Sequence, residues 1–332
     1  MNTDDTPACR SDVKYGLRIT SIGARQGSNG LPQIKSVKIC LICVIGVPNF
    51  MLIDTHCHIQ FKSYADDRDE VIKKCQEKGI MLNVVGTQQR MSKAAVELAE
   101  KYDNIYASVG LHPIQEHQVD VVEEDTCFTS IAETFDEEFY DTLAQHPKVI
   151  AIGETGLDRF HIPKDKTAEE IIDKQKQTFL KHYALAQKYN LPLVIHVRDA
   201  HEDMLAVLAD LPHPVRGTIH CFSGNREQAE KYISYGLHLG FTGIITYQPR
   251  KTNPEATTQI LDAITHMPAD RIIVETDSPF LAAQEYRGQR AEPWMVEEVV
   301  KKIAEVRGMT YEEVEKLTFE NSLRLFSKIQ LR

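Results

Sequence analysis

Eight short apolar runs recur along residues 51–281 of this 332-residue chain, at residues 51–58, 81–87, 105–113, 149–158, 192–199, 217–224, 238–246 and 271–280. Most are separated by stretches of helical character, and buried runs alternating with helices are the pattern of a parallel sheet. Nearly every run that carries a His, Glu or Asp carries it at its C-terminal end. The chain is therefore predicted to be an α/β protein, a (β/α)8 TIM barrel. In that fold the C-terminal ends of the strands converge on one face, and the chemistry sits there. The 282 residues from Met51 onward are close to the ~250 typical of one such barrel, so length demands no second domain.

That topology would bring together residues far apart in sequence. His56 and His58 stand at i and i+2 at the first strand end, so both imidazoles can reach one metal. Glu154, flanked by Gly153 and Gly156 after an apolar strand, is an acid that needs a partner, because an isolated buried charge is costly. His196 and His220 end the fifth and sixth strands, and Asp277 ends the eighth. Each fragment alone has an ordinary explanation: a core histidine, a turn acid, a helix cap. Ordered on strands 1, 4, 5, 6 and 8, four histidines and two acids form a ligand set for two divalent metals, the mark of a binuclear metallohydrolase. Glu275 shares the face of Asp277 and is expected to support the site from inside the barrel. Asp158 reads as a loop cap, and Asp199 as the N-cap of the next helix.

With these residues in hand, the chain resembles the TatD-like deoxyribonuclease family of the metal-dependent hydrolase superfamily. The matching pieces are Asp54-Thr-His-Cys-His58, Gly110-Leu-His-Pro113, Gly153-Glu-Thr-Gly-Leu-Asp158, Ile195-His-Val-Arg-Asp-Ala200, His220-Cys-Phe-Ser-Gly224, Glu275-Thr-Asp-Ser-Pro279 and Arg287-Gly-Gln-Arg290. The resemblance covers residues 51–332 and none of residues 1–50. It implies that His56, His58, Glu154 and Asp277 hold one metal, and that His196 and His220 hold a second, bridged by Glu154. It further implies phosphodiester hydrolysis, with 3′-5′ exonuclease character, by a metal-activated water that Asp277 would orient or deprotonate. His112, Arg198, Arg287 and Arg290 are the candidate phosphate contacts. Two positions depart from the family pattern, Ala291 where Asn is frequent and Val197 where Ser is frequent. Neither is a ligand, and both bear on substrate contacts.

Four imidazoles and two carboxylates suit zinc, manganese or iron better than magnesium, whereas the resemblance implies magnesium. The expectation is two divalent cations, with magnesium or manganese supporting activity and zinc as the alternative. A rival reading keeps the metals and changes the bond: an amidohydrolase or deacylase acting on a small ester, amide or aminoacyl ester. Relatives of that kind often bridge their metals with a carbamylated Lys, and the strand-4 position here is Glu154, which favours a nuclease.

The net charge of −10 is unevenly placed. Residues 1–50 carry six Lys/Arg and three Asp/Glu, leaving −13 on the remainder. An acidic body opposes a broad duplex-coating surface, while it still allows an enzyme that handles nucleic-acid ends, DNA or RNA. Seven scattered cysteines predict free thiols and a reducing, cytoplasmic setting. Cys57 and Cys221 are expected to pack between barrel and helices. Residues 39–47 form an apolar run of nine, far short of the ~20 needed to cross a bilayer. Residues 1–50 are read as a weakly structured extension ahead of a working start at Met51, and the barrel as a monomer with no obligate protein partner. The acid-rich residues 119–141 are expected to be a surface elaboration ending in a helix.

Overall fold

A computed structural model of the chain describes residues 51–123, 126–249 and 254–331, with the backbone alone at 120–123 and 126–129. The expectations for residues 1–50, including the apolar run, lie outside the described residues. From Leu52 onward strands and helices alternate: β1 (Leu52–Cys57), α1 (Arg68–Glu77), β2 (Ile80–Val85), α2 (Gln89–Lys101) and β3 (Ile105–Val109). An antiparallel hairpin, β4 (Asp120–Glu123) and β5 (Thr126–Thr129), and then α3 (Glu137–Ala144) follow where the acid-rich elaboration was expected. The alternation resumes with β6 (Val149–Asp158), α4 (Ala168–Tyr189), β7 (Leu193–Arg198), α5 (His201–Ala209), β8 (Gly217–Ile219), α6 (Arg226–Ser234) and β9 (His238–Phe241). It ends with α7 (Glu255–His266), β10 (Ile272–Val274), α8 (Val296–Arg307) and α9 (Tyr311–Leu325).

Eight strands pair in parallel in the order β1-β2-β3-β6-β7-β8-β9-β10. The circle is closed beyond the end of β10, where Asp277 N–H donates to His56 O at 2.8 Å and His58 N–H to Ser278 O at 2.7 Å. This is the predicted (β/α)8 barrel. Its strands are buried on both faces, which is why they read as apolar runs and not as alternating ones. Ile53, Met81, Tyr106, Ile150, Val194 and Ile273 pack together with Leu325 and Phe326 at the end of α9. A larger cluster fills the layer between strands and helices, and Cys57 lies in it.

Simple alternation from Ile53 would put Cys57 among those interior residues. The pairing of β1 with β2 shifts register between Asp54 and Cys57, and β6 with β7 shifts between Ile152 and Thr155. Such irregularities re-aim side chains at strand ends, and both fall where ligand candidates stand. Several helix ends are set by capping chemistry. Thr167 with Glu170 opens α4 and Thr310 with Glu313 opens α9 as reciprocal capping boxes, and Gly308 in the left-handed region closes α8. No helix among the described residues is long and apolar enough to cross a membrane.

Candidate active site

The six sequence-predicted ligand residues, separated by up to 221 positions in the chain, converge at the C-terminal mouth of the barrel. His56 Nε2 and His58 Nε2 lie 3.2 Å apart. Glu154 Oε2 is 3.4 Å from the first and 3.8 Å from the second, and Asp277 Oδ1 is 3.8 and 3.3 Å from the same two atoms. Metal–ligand bonds of ~2.0–2.2 Å in tetrahedral geometry separate donor atoms by roughly 3.3–3.6 Å, so His56, His58 and Glu154 could hold one small divalent cation, with Asp277 beside the two imidazoles. The other oxygen of Glu154 faces a different set. Oε1 lies 3.0 Å from His196 Nδ1, 3.3 Å from His112 Nε2 and 3.9 Å from His220 Nε2, and His220 Nε2 is 3.7 Å from Asp277 Oδ1.

Tautomers sort these imidazoles into two kinds. His58 Nδ1 is 2.8 Å from the Val85 carbonyl, and only an Nδ1–H can bond there, which leaves Nε2 with its lone pair toward the site. His220 stands differently, as an ion-pair neighbour of Glu275, with Nδ1 2.8 Å from its Oε1 and Nε2 toward the site. His112 is the reverse of His58. Its Nδ1 accepts the Ile114 N–H at 3.1 Å, so the neutral ring carries its proton on Nε2, facing Glu154. Proximity alone groups His112 with Glu154 and His196 as possible ligands. The tautomer makes it a hydrogen-bond donor instead.

Electrostatics follow from burying acids and imidazoles together. Burial and the neighbouring His220 depress the His56 pKa to about 4. Burial also pulls on His220, but Glu275, Asp277 and Glu154 overcome it and raise the ring to about 10. His196 is likewise opposed by burial and raised to about 9 by its bonds to Asp158 and Glu154. Burial opposes ionisation of Glu154 as well, yet the imidazoles around it, His112 and His56 foremost, hold it well below the usual carboxylate range. The site thus concentrates buried negative charge that demands cations, whether imidazolium or metal.

The supporting residues only partly follow the expectations. Glu275 Oε1 accepts the Cys221 N–H at 2.6 Å as well as standing beside His220, in keeping with its expected place. Asp158 does cap its loop, accepting the Phe160 and His161 N–H groups, but it also lies 3.3 Å from His196 Nε2, a contact that sequence reasoning missed. Also missed was Asp54, fully buried, which takes the N–H and hydroxyl of Thr276 at 2.9 and 2.6 Å and the His56 N–H at 3.3 Å. It thereby ties the two strands that present His56 and Asp277. Its place two residues before His56 was the available signal. Asp199 is not the helix N-cap: α5 begins after Ala200, with no side-chain cap, and Asp199 itself is left-handed at φ 53°.

The arginines are placed differently from one another. Arg198 lies over the Phe160 ring at 4.1 Å and Arg287 over the Tyr247 ring at 4.3 Å. Arg290 is committed to the protein itself, forked onto Asp67 at 2.9 and 2.6 Å and within 3.2 Å of Glu292. Gly156 lets β6 and β7 close up: a Cβ there would fall 1.9 Å from the His196 carbonyl oxygen, and its φ is 147°.

A parallel barrel whose mouth gathers imidazoles around a shared carboxylate is the architecture of a metal-dependent hydrolase acting on ester bonds. Residues 53–327 match the model of the TatD-related DNase family, and the chain belongs to that family. It is 38% identical over 278 residues to the metal-dependent hydrolase YabD of Bacillus subtilis, covering 83% of this chain and 99% of that one. The 3′-5′ ssDNA/RNA exonuclease TatD of Erwinia tasmaniensis is 30% identical over 283 residues, 83% of this chain and 100% of the relative. Among solved structures, the TatD homologue YjjV of Escherichia coli K12 superposes with a TM-score of 0.69 at 28% identity, covering 84% of this chain and 98% of that one.

Proposed function

We propose that this chain is a two-metal phosphodiesterase that removes nucleotides from the 3′ ends of single-stranded nucleic acid. The observation that carries the two-metal reading is the division of Glu154, Oε2 toward His56 and His58 and Oε1 toward His196 and His220. His56, His58 and Asp277 would hold one cation and His196 and His220 the other, with Glu154 between them. When bound, such a pair supplies Lewis acidity and lowers the pKa of a water toward neutrality. Nitrogen-rich donors favour manganese or zinc over magnesium by chemistry, while the family resemblance implies magnesium.

The remaining work falls to the protein. Burial disfavours the charge on Asp277, but His220 and the other imidazoles outweigh it and keep the carboxylate ionised at neutral pH, ready to accept a hydrogen bond from the attacking water and fix its direction. His112, whose Nε2–H faces Glu154, is the donor that would turn to a phosphoryl oxygen, where charge grows in the transition state. Glu275 and Asp54 hold His220, His56 and Asp277 in place through the contacts described above. Arg198 and Arg287 are the guanidiniums proposed to meet phosphates at the rim, and Arg290 is proposed to brace that rim through Asp67. The net −13 on residues 51–332 disfavours continuous contact with a long polyanion, so only a few phosphates engage at once. Support for nucleic acid over a small ester comes from the relative named as an ssDNA/RNA exonuclease.

The test is hydrolysis of 3′-labelled linear single-stranded DNA, with and without chelator, beside a circular single strand. The proposal expects label released as mononucleotide, none after chelation, and an intact circle. Equal cleavage of circle and linear strand would make the enzyme an endonuclease. Turnover of a small ester or amide with neither DNA cut would place it with the deacylases.

A further inference from the structure

One large apolar side chain at the mouth of the barrel is not explained by packing. Phe160 stands two residues beyond β6 and is 54% exposed. Its backbone is nonetheless anchored. The Phe160 and His161 N–H groups donate to Asp158 Oδ1 at 2.8 and 2.7 Å, and Asp158 Oδ2 lies 3.3 Å from His196 Nε2. One carboxylate therefore fixes the exposed ring relative to a ligand histidine. Arg198, two residues past His196, covers one face of the ring at 4.1 Å, and its carbonyl accepts the Arg159 N–H at 2.9 Å, so the ends of β6 and β7 hold ring and guanidinium in register.

A ring with a guanidinium on one face, the His161 ring against it at 4.9 Å and about half of its surface still exposed suits a flat π-system arriving from solvent. Aromatic side chains stack bases of any identity, and an arginine in the same stack can reach the phosphate beside the base. Its tether through Asp158 to His196 puts that stack next to the proposed metal site and not on a remote surface. We propose that Phe160, backed by Arg198, stacks the base of the nucleotide at the end of the strand and thereby sets the register of cleavage. This rests on the nucleic-acid reading above and narrows it to ends that carry a terminal base, with little preference among bases.

The experiment is steady-state kinetics of the wild type, Phe160→Ala and Phe160→Trp on two metal-supplemented substrates. One is a single-stranded oligonucleotide with an ordinary 3′-terminal nucleotide, and the other is the same strand ending in an abasic nucleotide. Phe160→Ala is expected to raise KM for the ordinary strand by roughly 10–100-fold, the scale of one stacked base, with kcat little changed. Phe160→Trp should keep the wild-type KM. On the abasic strand wild type and Phe160→Ala should have the same KM. Because the side chain is exposed, its removal leaves the core intact. A wild-type KM for Phe160→Ala on the ordinary strand, or an equal loss on both strands, overturns the stacking role while leaving the nuclease reading in place. If the wild type cuts neither strand, the nuclease reading itself falls and this proposal falls with it.

Discussion

Replacing Glu275 by Gln isolates what one buried charge contributes to the site. Glu275 Oε1 lies 2.8 Å from His220 Nδ1 and accepts the Cys221 N–H at 2.6 Å, and Oε2 receives the Thr55 hydroxyl at 3.3 Å. A glutamine in the same rotamer keeps its carbonyl oxygen at the Oε1 position, where it still accepts the Cys221 N–H and stands beside His220 Nδ1. Its amide then faces Thr55, whose hydroxyl can accept while it goes on donating to the Val274 carbonyl at 3.0 Å. Shape and hydrogen bonding survive, and only the charge is lost. Charge-assisted hydrogen bonds are worth about 1.5–3 kcal/mol against about 0.5–1.5 for neutral ones, so the difference is about 1–2 kcal/mol. That corresponds to a loss of roughly 5–30-fold in metal affinity at the His220 position, overlapping the lower part of the roughly 10–100-fold range usual for residues that orient a ligand. Competition against a chromophoric chelator measures the affinity, and thermal melting of the metal-free protein checks the fold. An affinity within twofold of wild type, with unchanged melting, would refute the claim that Glu275 acts through His220.

Three further outcomes are expected. Gly156→Ala should force β6 from β7, lowering stability by about 1–3 kcal/mol through overpacking and reducing kcat at least tenfold by moving Glu154 from His196; melting and kinetics check both. Burial, opposed by the Thr178 hydroxyl and Lys174, raises the Glu116 pKa from 4.5 to about 7. The folded state therefore binds this proton more tightly than the unfolded one, and the associated stability, about 3 kcal/mol, is full below pH 4.5 and is lost as pH rises through 7. Glu116→Gln should be more stable than wild type at pH 8 and nearly equal at pH 4, and parallel denaturant titrations at the two pH values would show it. A chain begun at Met51 should match the full chain in melting temperature and activity, since β1 starts at Leu52 and Met51 N–H already bonds the Gly79 carbonyl at 3.1 Å.

The barrel was legible because its eight parallel strands are almost wholly buried and announce themselves as apolar runs. The ligand candidates were legible because four histidines and two acids recur at the ends of such runs, each ordinary alone and informative only as an ordered set. What the sequence hid depends on pairing across the closure. Asp54 reads as one more polar residue in a strand until β1 meets the end of β10 and Thr276, 222 positions away, donates to it twice. The tautomer of His112 is set by a single local bond to Ile114, and no residue pattern encodes it. Asp199 had the composition of a helix cap but takes a left-handed backbone, and the helix starts one residue later than a cap at that position requires. The commitment of Arg290 to Asp67 is likewise a contact between two rim segments far apart in the chain.

The central claim is that the two oxygens of Glu154 organise two cations for one hydrolytic reaction. Metal content per chain, measured by mass spectrometry on wild type and Glu154→Ala after equilibration with manganese and desalting, tests it together with release of the 3′ label from single-stranded DNA. The wild-type chain is expected to hold two ions and the folded variant one or none, with no measurable turnover by the variant. Two ions retained by Glu154→Ala, with turnover near that of the wild type, would contradict it.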